Sequence, residues 1–178
     1  MKNAVFLDRD GTVTVGVPTY ERVDSLAKVK LLPNSVEALS LLASLDYLVF
    51  FVTNQAGLAE GLITWNEFNK INDKVTELVA PSGITILKTY VCPHSEYDNC
   101  ECRKPKPKLL LDAAHEYDID LANSWMIGDR PSDVMAGVNA GTKAILVKSG
   151  VPTVICDQAA ATLPSLFEAV QYIADHAS

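Results

Sequence analysis

Val5-Phe6-Leu7-Asp8-Arg9-Asp10-Gly11-Thr12 is the stretch on which the fold turns. Val5, Phe6 and Leu7 form a short apolar run of the kind found in buried parallel strands. Two carboxylates two residues apart end the run, and a Gly-Thr breaker follows at once. Residues i and i+2 share one side of a strand, so Asp8 and Asp10 are expected to converge at its C-terminal end. Open α/β sheets place their ligands at that end. Adjacent carboxylates repel unless a cation or a proton separates them, which points to a divalent metal, acid/base chemistry or both. The plainer alternative is a polar strand exit capped by Asp.

Outward from this octet, short apolar runs alternate with helical patterns. Ala4–Leu7 precedes a helix over 35–45, and Tyr47–Val52 precedes one over 65–79. Strands over 87–91, 124–127 and 143–147 follow, with helices over 108–117, 131–139 and 165–174. Such alternation predicts an α/β, Rossmann-like three-layer sandwich, a central parallel sheet with helices on both faces. Neither a repeat nor a linker interrupts it, so a single domain over residues 1–178 is expected. The segment from Thr12 to Pro33 is long for a loop in a compact domain, which marks it as a functional candidate.

Other strand ends carry polar groups too. Thr53-Asn54-Gln55 follows the second strand, where a hydroxyl and backbone N–H groups could hold a phosphate oxygen or merely cap a helix. Gly128-Asp129-Arg130 follows a later strand, and Asp129 is expected to face the same rim as Asp8 and Asp10, completing an oxygen-rich setting suited to magnesium. Asp133, near a helix start, reads as a cap or as a support behind the ligands.

Cys92-Pro93-His94 and Cys100-Glu101-Cys102 place three thiols and an imidazole within eleven residues. The Cys3His set (Cys92, His94, Cys100, Cys102) matches tetrahedral structural zinc and leaves no ligand position open for chemistry. A redox pair among the thiols would leave His94 unexplained. Arg103 and Lys104 follow directly, so a pinned loop would present two cations suited to an anionic substrate.

Bulk properties bound the function. The 178 residues are 48% hydrophobic, enough for one sizeable core. A net charge of −7 argues against a general nucleic-acid binder. No apolar run is long enough to cross a membrane, and Met1-Lys2-Asn3 leaves no room for a signal peptide before the first strand. A soluble, cytoplasmic monomer is the expectation.

Asp8-x-Asp10-Gly11-Thr12, Thr53-Asn54-Gln55, Lys104 and Gly128-Asp129, in that order, resemble the four motifs of the haloacid dehalogenase (HAD) superfamily of phosphatases. The resemblance spans about residues 4 to 150. The zinc segment ending Cys102-Arg103-Lys104-Pro105 is similar to that of the subfamily IIIA branch, which carries no large cap domain. This resemblance implies a magnesium-dependent phosphatase that acts on a small phosphorylated sugar through an aspartyl-phosphate. A heptose 1,7-bisphosphate that loses its C7 phosphate is the leading substrate, with histidinol phosphate as the alternative.

By the same resemblance, Asp8 attacks phosphorus, and Asp10 protonates the leaving group and then deprotonates water. Magnesium would be held by the Asp8 side chain, the Asp10 backbone and Asp129. Thr53 and Lys104 would stabilise the transferring phosphoryl group. Asn54, Gln55, Arg103 and Arg130 would contact the substrate, the two arginines as candidates for a second phosphate. A non-catalytic phosphosugar-binding protein is the rival reading; it would be expected to lack Asp8 or Asp10, and both are present.

Overall fold

The computed structural model describes residues 1–16, 25–150 and 153–176. Six parallel strands form one sheet in the order β3-β2-β1-β4-β5-β6. They are β1 (Ala4–Leu7), β2 (Leu48–Asn54), β3 (Ile86–Cys92), β4 (Trp125–Gly128), β5 (Lys143–Val147) and β6 (Ala161–Leu163). Five helices connect them: α1 (Ser35–Ala43), α2 (Trp65–Val79), α3 (Lys108–Tyr117), α4 (Pro131–Ala140) and α5 (Leu166–His176). Among the described residues no further domain is inserted between these elements.

The layers follow from side-chain alternation along the strands. Val5 and Leu7 of β1, Val49 and Phe51 of β2, and Ile127 of β4 point to a core shared with Leu39, Leu42, Ile71, Val75, Val170 and Ile173 of α1, α2 and α5. Ala4, Phe6, Phe50, Val52 and Met126 point the other way, against Leu109, Leu110 and Ala113 of α3 and Val134 and Ala136 of α4. Both faces of β1 are therefore dry, which explains why its residues are apolar without alternation. Phe50 anchors the second core: its ring lies 5.6 Å from Phe6 and 4.9 Å from Tyr117. Its truncation to alanine is worth about 3–5 kcal/mol.

Strand order reverses between β1 and β4, which are paired in register from Val5–Trp125 to Leu7–Ile127. Chain leaving β1 turns to one side and chain leaving β4 to the other, so a crevice opens beyond Leu7 and Gly128. The one strand not anticipated is β6. At the sheet edge Ala161 and Leu163 are half-buried and Thr162 is exposed, and so short a run shows no hydrophobic period. Of the loop singled out between Thr12 and Pro33, residues 17–24 lie outside the described residues. Its flanks are tied together by an antiparallel bridge between Thr14 and Leu31.

Candidate active site

Asp8 is the first residue beyond β1, and its backbone N–H donates to the Ile127 carbonyl of β4 at 2.9 Å. Its Oδ1 lies 2.7 Å from the Lys104 ammonium. That ammonium also contacts Asp133 Oδ1 at 2.7 Å and donates to the Val52 carbonyl at 2.7 Å. Lys104 is 4% exposed, so all its donors are spent inside the protein. Burial works against its charge, but Asp133 and Asp8 more than offset this and hold the ammonium protonated. Asp133 also accepts from the Arg130 N–H at 3.0 Å, capping α4, so it serves as cap and as partner of Lys104 at once.

Asp129, at the end of β4, completes the group. Carboxylate oxygens of Asp8, Asp129 and Asp133 lie within 4.8 Å of one another, and all three residues are buried. Asp129 Oδ1 is buried with no hydrogen-bond partner among the described residues. A methyl on Gly11 would meet Asp129 Oδ2 at 2.5 Å, and one on Gly150 would meet it at 2.0 Å. Backbone thus closes on this carboxylate from two sides, and only glycine permits it. Burial, then Asp133, push the Asp129 carboxyl up to about 6 against the opposing pull of Arg130 and Lys104. Asp8 is driven well above the carboxylate range, chiefly by burial, with Asp133 and Asp129 adding to it and Lys104 opposing. Three buried carboxylates surround one ammonium that pairs with only Asp8 and Asp133, and Asp129 Oδ1 has no partner among the described residues. A divalent cation would cancel both deficits.

Asp10 does not join that cluster, which corrects the expectation that its side chain converges with Asp8. The strand ends at Leu7, and the chain then turns so tightly that Val13 and Thr14 both donate their N–H groups to the Arg9 carbonyl. Strand alternation stops applying there. The Asp10 carboxylate instead accepts from Arg9 Nε (3.1 Å), Arg9 Nη2 (2.8 Å), Thr14 Oγ1 (3.0 Å) and Gln55 Nε2 (2.9 Å). Burial would raise its carboxyl, but the Arg9 guanidinium and these bonds hold it below its ordinary value. Only the backbone of Asp10 remains for the metal role assigned to it by resemblance.

Thr53 is buried at the end of β2, and Gln55 Nε2 donates to its hydroxyl at 2.8 Å. Asn54, expected at the substrate, has its amide on the Lys104 peptide. Its Nδ2 donates to the Lys104 carbonyl at 3.2 Å, and its Oδ1 accepts the Lys104 N–H at 3.1 Å. This pairing fixes Lys104 across fifty residues of chain. Arg130 is exposed at the mouth beside Asp129. Arg9 was missed as a site residue, although an arginine at the end of an all-apolar strand was the available signal.

The Cys3His residues gather at the end of β3 as their spacing predicts. Sγ of Cys92 lies 3.6 Å from that of Cys100 and 3.1 Å from that of Cys102, and the Cys100–Cys102 separation is 3.7 Å. His94 Nδ1 is 3.7 Å from Cys92 Sγ and 3.2 Å from Cys102 Sγ. Tetrahedral zinc with bonds of about 2.0–2.3 Å needs ligand separations of roughly 3.5–3.8 Å, so the cluster fits with small adjustments. Arg103 donates to the His94 carbonyl at 3.1 Å and is thereby bound to the loop.

A family model for HAD-hydrolase-like proteins matches residues 101–176. D-glycero-beta-D-manno-heptose-1,7-bisphosphate 7-phosphatase of Pasteurella multocida is 38% identical over 159 residues, covering 85% of each chain. A relative from Campylobacter jejuni named for the alpha anomer is 37% identical, covering 81% of each. The crystal structure of D,D-heptose 1,7-bisphosphate phosphatase from Bordetella bronchiseptica, complexed with magnesium and phosphate, superposes with a TM-score of 0.90 at 32% identity, covering 98% of this chain and 99% of that one. The chain belongs to the HAD-like hydrolases, in the family of the D-glycero-D-manno-heptose 1,7-bisphosphate 7-phosphatases.

Proposed function

We propose that this chain is a magnesium-dependent phosphatase that removes the C7 phosphate of a D-glycero-D-manno-heptose 1,7-bisphosphate. The observation that carries the reading is the charge imbalance beyond β1 and β4: three buried carboxylates, Asp8, Asp129 and Asp133, against the one buried ammonium of Lys104, with Asp129 Oδ1 lacking a hydrogen-bond partner among the described residues. The names of the relatives and the magnesium and phosphate bound to the Bordetella enzyme agree with it. Asp8, Asp129 and the Asp10 backbone would hold magnesium, which supplies Lewis-acid neutralisation of phosphoryl oxygens when bound.

Asp8 attacks phosphorus, forming an acyl phosphate as the P–O bond to the sugar breaks. Asp10, held as the anion in the free enzyme, would take up a proton as substrate binds and pass it to the departing alkoxide. Lys104 gains a new partner in that step: as Asp8 loses its charge to the ester, its ammonium can turn from Oδ1 to a phosphoryl oxygen. Asp133 keeps hold of it meanwhile. Water then attacks the acyl phosphate, gives its proton to Asp10, and Asp8 is released. Thr53 donates to a phosphoryl oxygen, while Arg103 and Arg130 receive the phosphate that stays on the sugar.

Cys92, His94, Cys100 and Cys102 hold structural zinc in this reading, supported by the fit of their separations. Phosphate release from both anomers of the heptose bisphosphate, from histidinol phosphate and from common sugar phosphates tests the assignment. The bisphosphate is expected to be hydrolysed fastest, leaving the 1-phosphate. Faster hydrolysis of histidinol phosphate overturns the substrate.

A further inference from the structure

Arg9 is the largest fully buried side chain among the described residues, at 0% exposure. Its guanidinium lies 5.4 Å from the Phe68 ring centroid, and its Nη1 has no hydrogen-bond partner among those residues. A buried charge with an unpaired donor costs stability, and an apolar side chain of similar volume would serve this core better. What the arginine does achieve is a fork on its neighbour: Nε on Asp10 Oδ1 and Nη2 on Asp10 Oδ2. Two such bonds fix both the place and the plane of a carboxylate.

The partners of Asp10 divide into two kinds. Arg9 and Thr14 are buried, Arg9 lies against Phe68, and both approach from the protein side. Gln55 is half-buried, and the same Nε2 bridges Asp10 Oδ2 and the Thr53 hydroxyl. Its amide therefore lies between the group that handles the proton and the hydroxyl assigned to the phosphoryl oxygens. A leaving oxygen attached to that phosphorus must occupy the same gap. With four donors on a carboxylate that has about four acceptor positions, one must leave before a substrate oxygen can bond to it.

We propose that Arg9 is a positioning residue for the proton-transfer step: its fork holds Asp10 in the plane that faces the leaving oxygen, and Gln55 occupies that oxygen's place until substrate displaces it. This rests on the phosphatase reading above. Arg9 itself touches no substrate atom. Its effect must appear only in steps that need a proton moved.

Stopped-flow kinetics with two leaving groups tests this. In 2,4-dinitrophenyl phosphate the phenolate departs without a proton, whereas a sugar alkoxide does not. In Arg9→Met, the burst of dinitrophenolate that reports Asp8 phosphorylation should stay within about threefold of the parent enzyme. Turnover of the sugar bisphosphate should fall by about a hundredfold, as loss of an acid/base group does. A burst slowed as much as sugar turnover would make Arg9 a structural residue and overturn the inference, as would unchanged sugar turnover. Arg9→Lys, which keeps charge and loses the fork, serves if the methionine variant does not fold. It must show the same split between leaving groups, with a smaller loss. A parent enzyme that hydrolyses neither compound would overturn the phosphatase reading itself, and this inference with it.

Discussion

Two clusters of metal-ligand type lie beside each other at the C-terminal ends of the strands, and they differ in almost every respect. The Cys3His group comes from eleven consecutive residues, is dominated by soft thiol ligands, and offers the four ligands that a tetrahedral metal would need. The carboxylate group comes from positions 8, 129 and 133, is buried, and leaves an acceptor without a partner among the described residues. Four protein ligands on one metal would leave no place for a substrate, and such a set would only hold its loop. An incomplete, overcharged set is poised to take a cation and, through it, an anion. Cys102-Arg103-Lys104 joins the two, for the last ligand of one cluster lies two residues from the ammonium at the centre of the other.

If that contrast is right, damage to the oxygen cluster should abolish turnover, whereas damage to the sulfur cluster should change affinity. Asp8→Asn is the largest expected effect. The shape is kept and the nucleophile lost, so phosphate release should fall by at least about a thousandfold. The melting temperature should hold or rise, because one of three crowded carboxylates is removed. Residual turnover near the parent's, with deamidation excluded by mass spectrometry, would take Asp8 out of the mechanism.

Arg130→Ala probes the mouth of the same cluster. Arg130 is exposed beside Asp129, where its fork could receive a second phosphate. A charge-assisted contact is worth about 1.5–3 kcal/mol, so KM for the bisphosphate should rise roughly tenfold to a hundredfold. A monophosphate should barely respond. Equal losses on both substrates would assign Arg130 to the reaction centre.

The two clusters also differ in how well they could be read from residues alone. Cys92, His94, Cys100 and Cys102 are close in sequence and in space, and the ligand chemistry is dictated by residue type, so spacing sufficed. The parallel sheet was legible for a similar reason, since local apolar runs and helical periods report burial directly. Asp8 and Asp129 were legible as strand-end residues of a switch-point sheet. The turn that sends Asp10 to Arg9 was not, because the alternation rule fails once β1 ends at Leu7. Nor was the clamp of Asn54 on the Lys104 peptide, a contact across fifty residues that no local pattern encodes.

Cys100→Ser sharpens the other half of the comparison. Zinc should accompany the parent protein at about one equivalent and survive magnesium removal, and the variant should lose most of it. The loop carrying Arg103 would loosen, so KM should rise by roughly threefold to tenfold while kcat changes by less than about twofold. Elemental analysis and steady-state kinetics on one preparation decide it. A large fall in kcat with unchanged KM would mean that the sulfur cluster reaches into the chemistry after all.

The smallest effect is on stability, and it follows from the carboxylates alone. In the metal-free protein the Asp129 carboxyl stands at about 6, against 3.8 for an ordinary aspartate. Asp8 is displaced in the same direction. An acid raised on folding binds its proton more tightly in the native state, so the protonated form favours the fold. That contribution is fully present below the ordinary value and is lost as pH climbs through the folded one. Metal-free protein should therefore lose stability as pH rises from about 4 to 6. Magnesium takes the proton's place, so its stabilisation should grow over the same interval. At neutral pH a saturating concentration should raise the melting temperature by roughly 5–10 °C, and near pH 4 by little. Asp129→Asn should flatten the difference, since it removes both the titrating group and a ligand. A magnesium-induced rise of equal size at both pH values would mean that the cation binds somewhere other than these buried carboxylates.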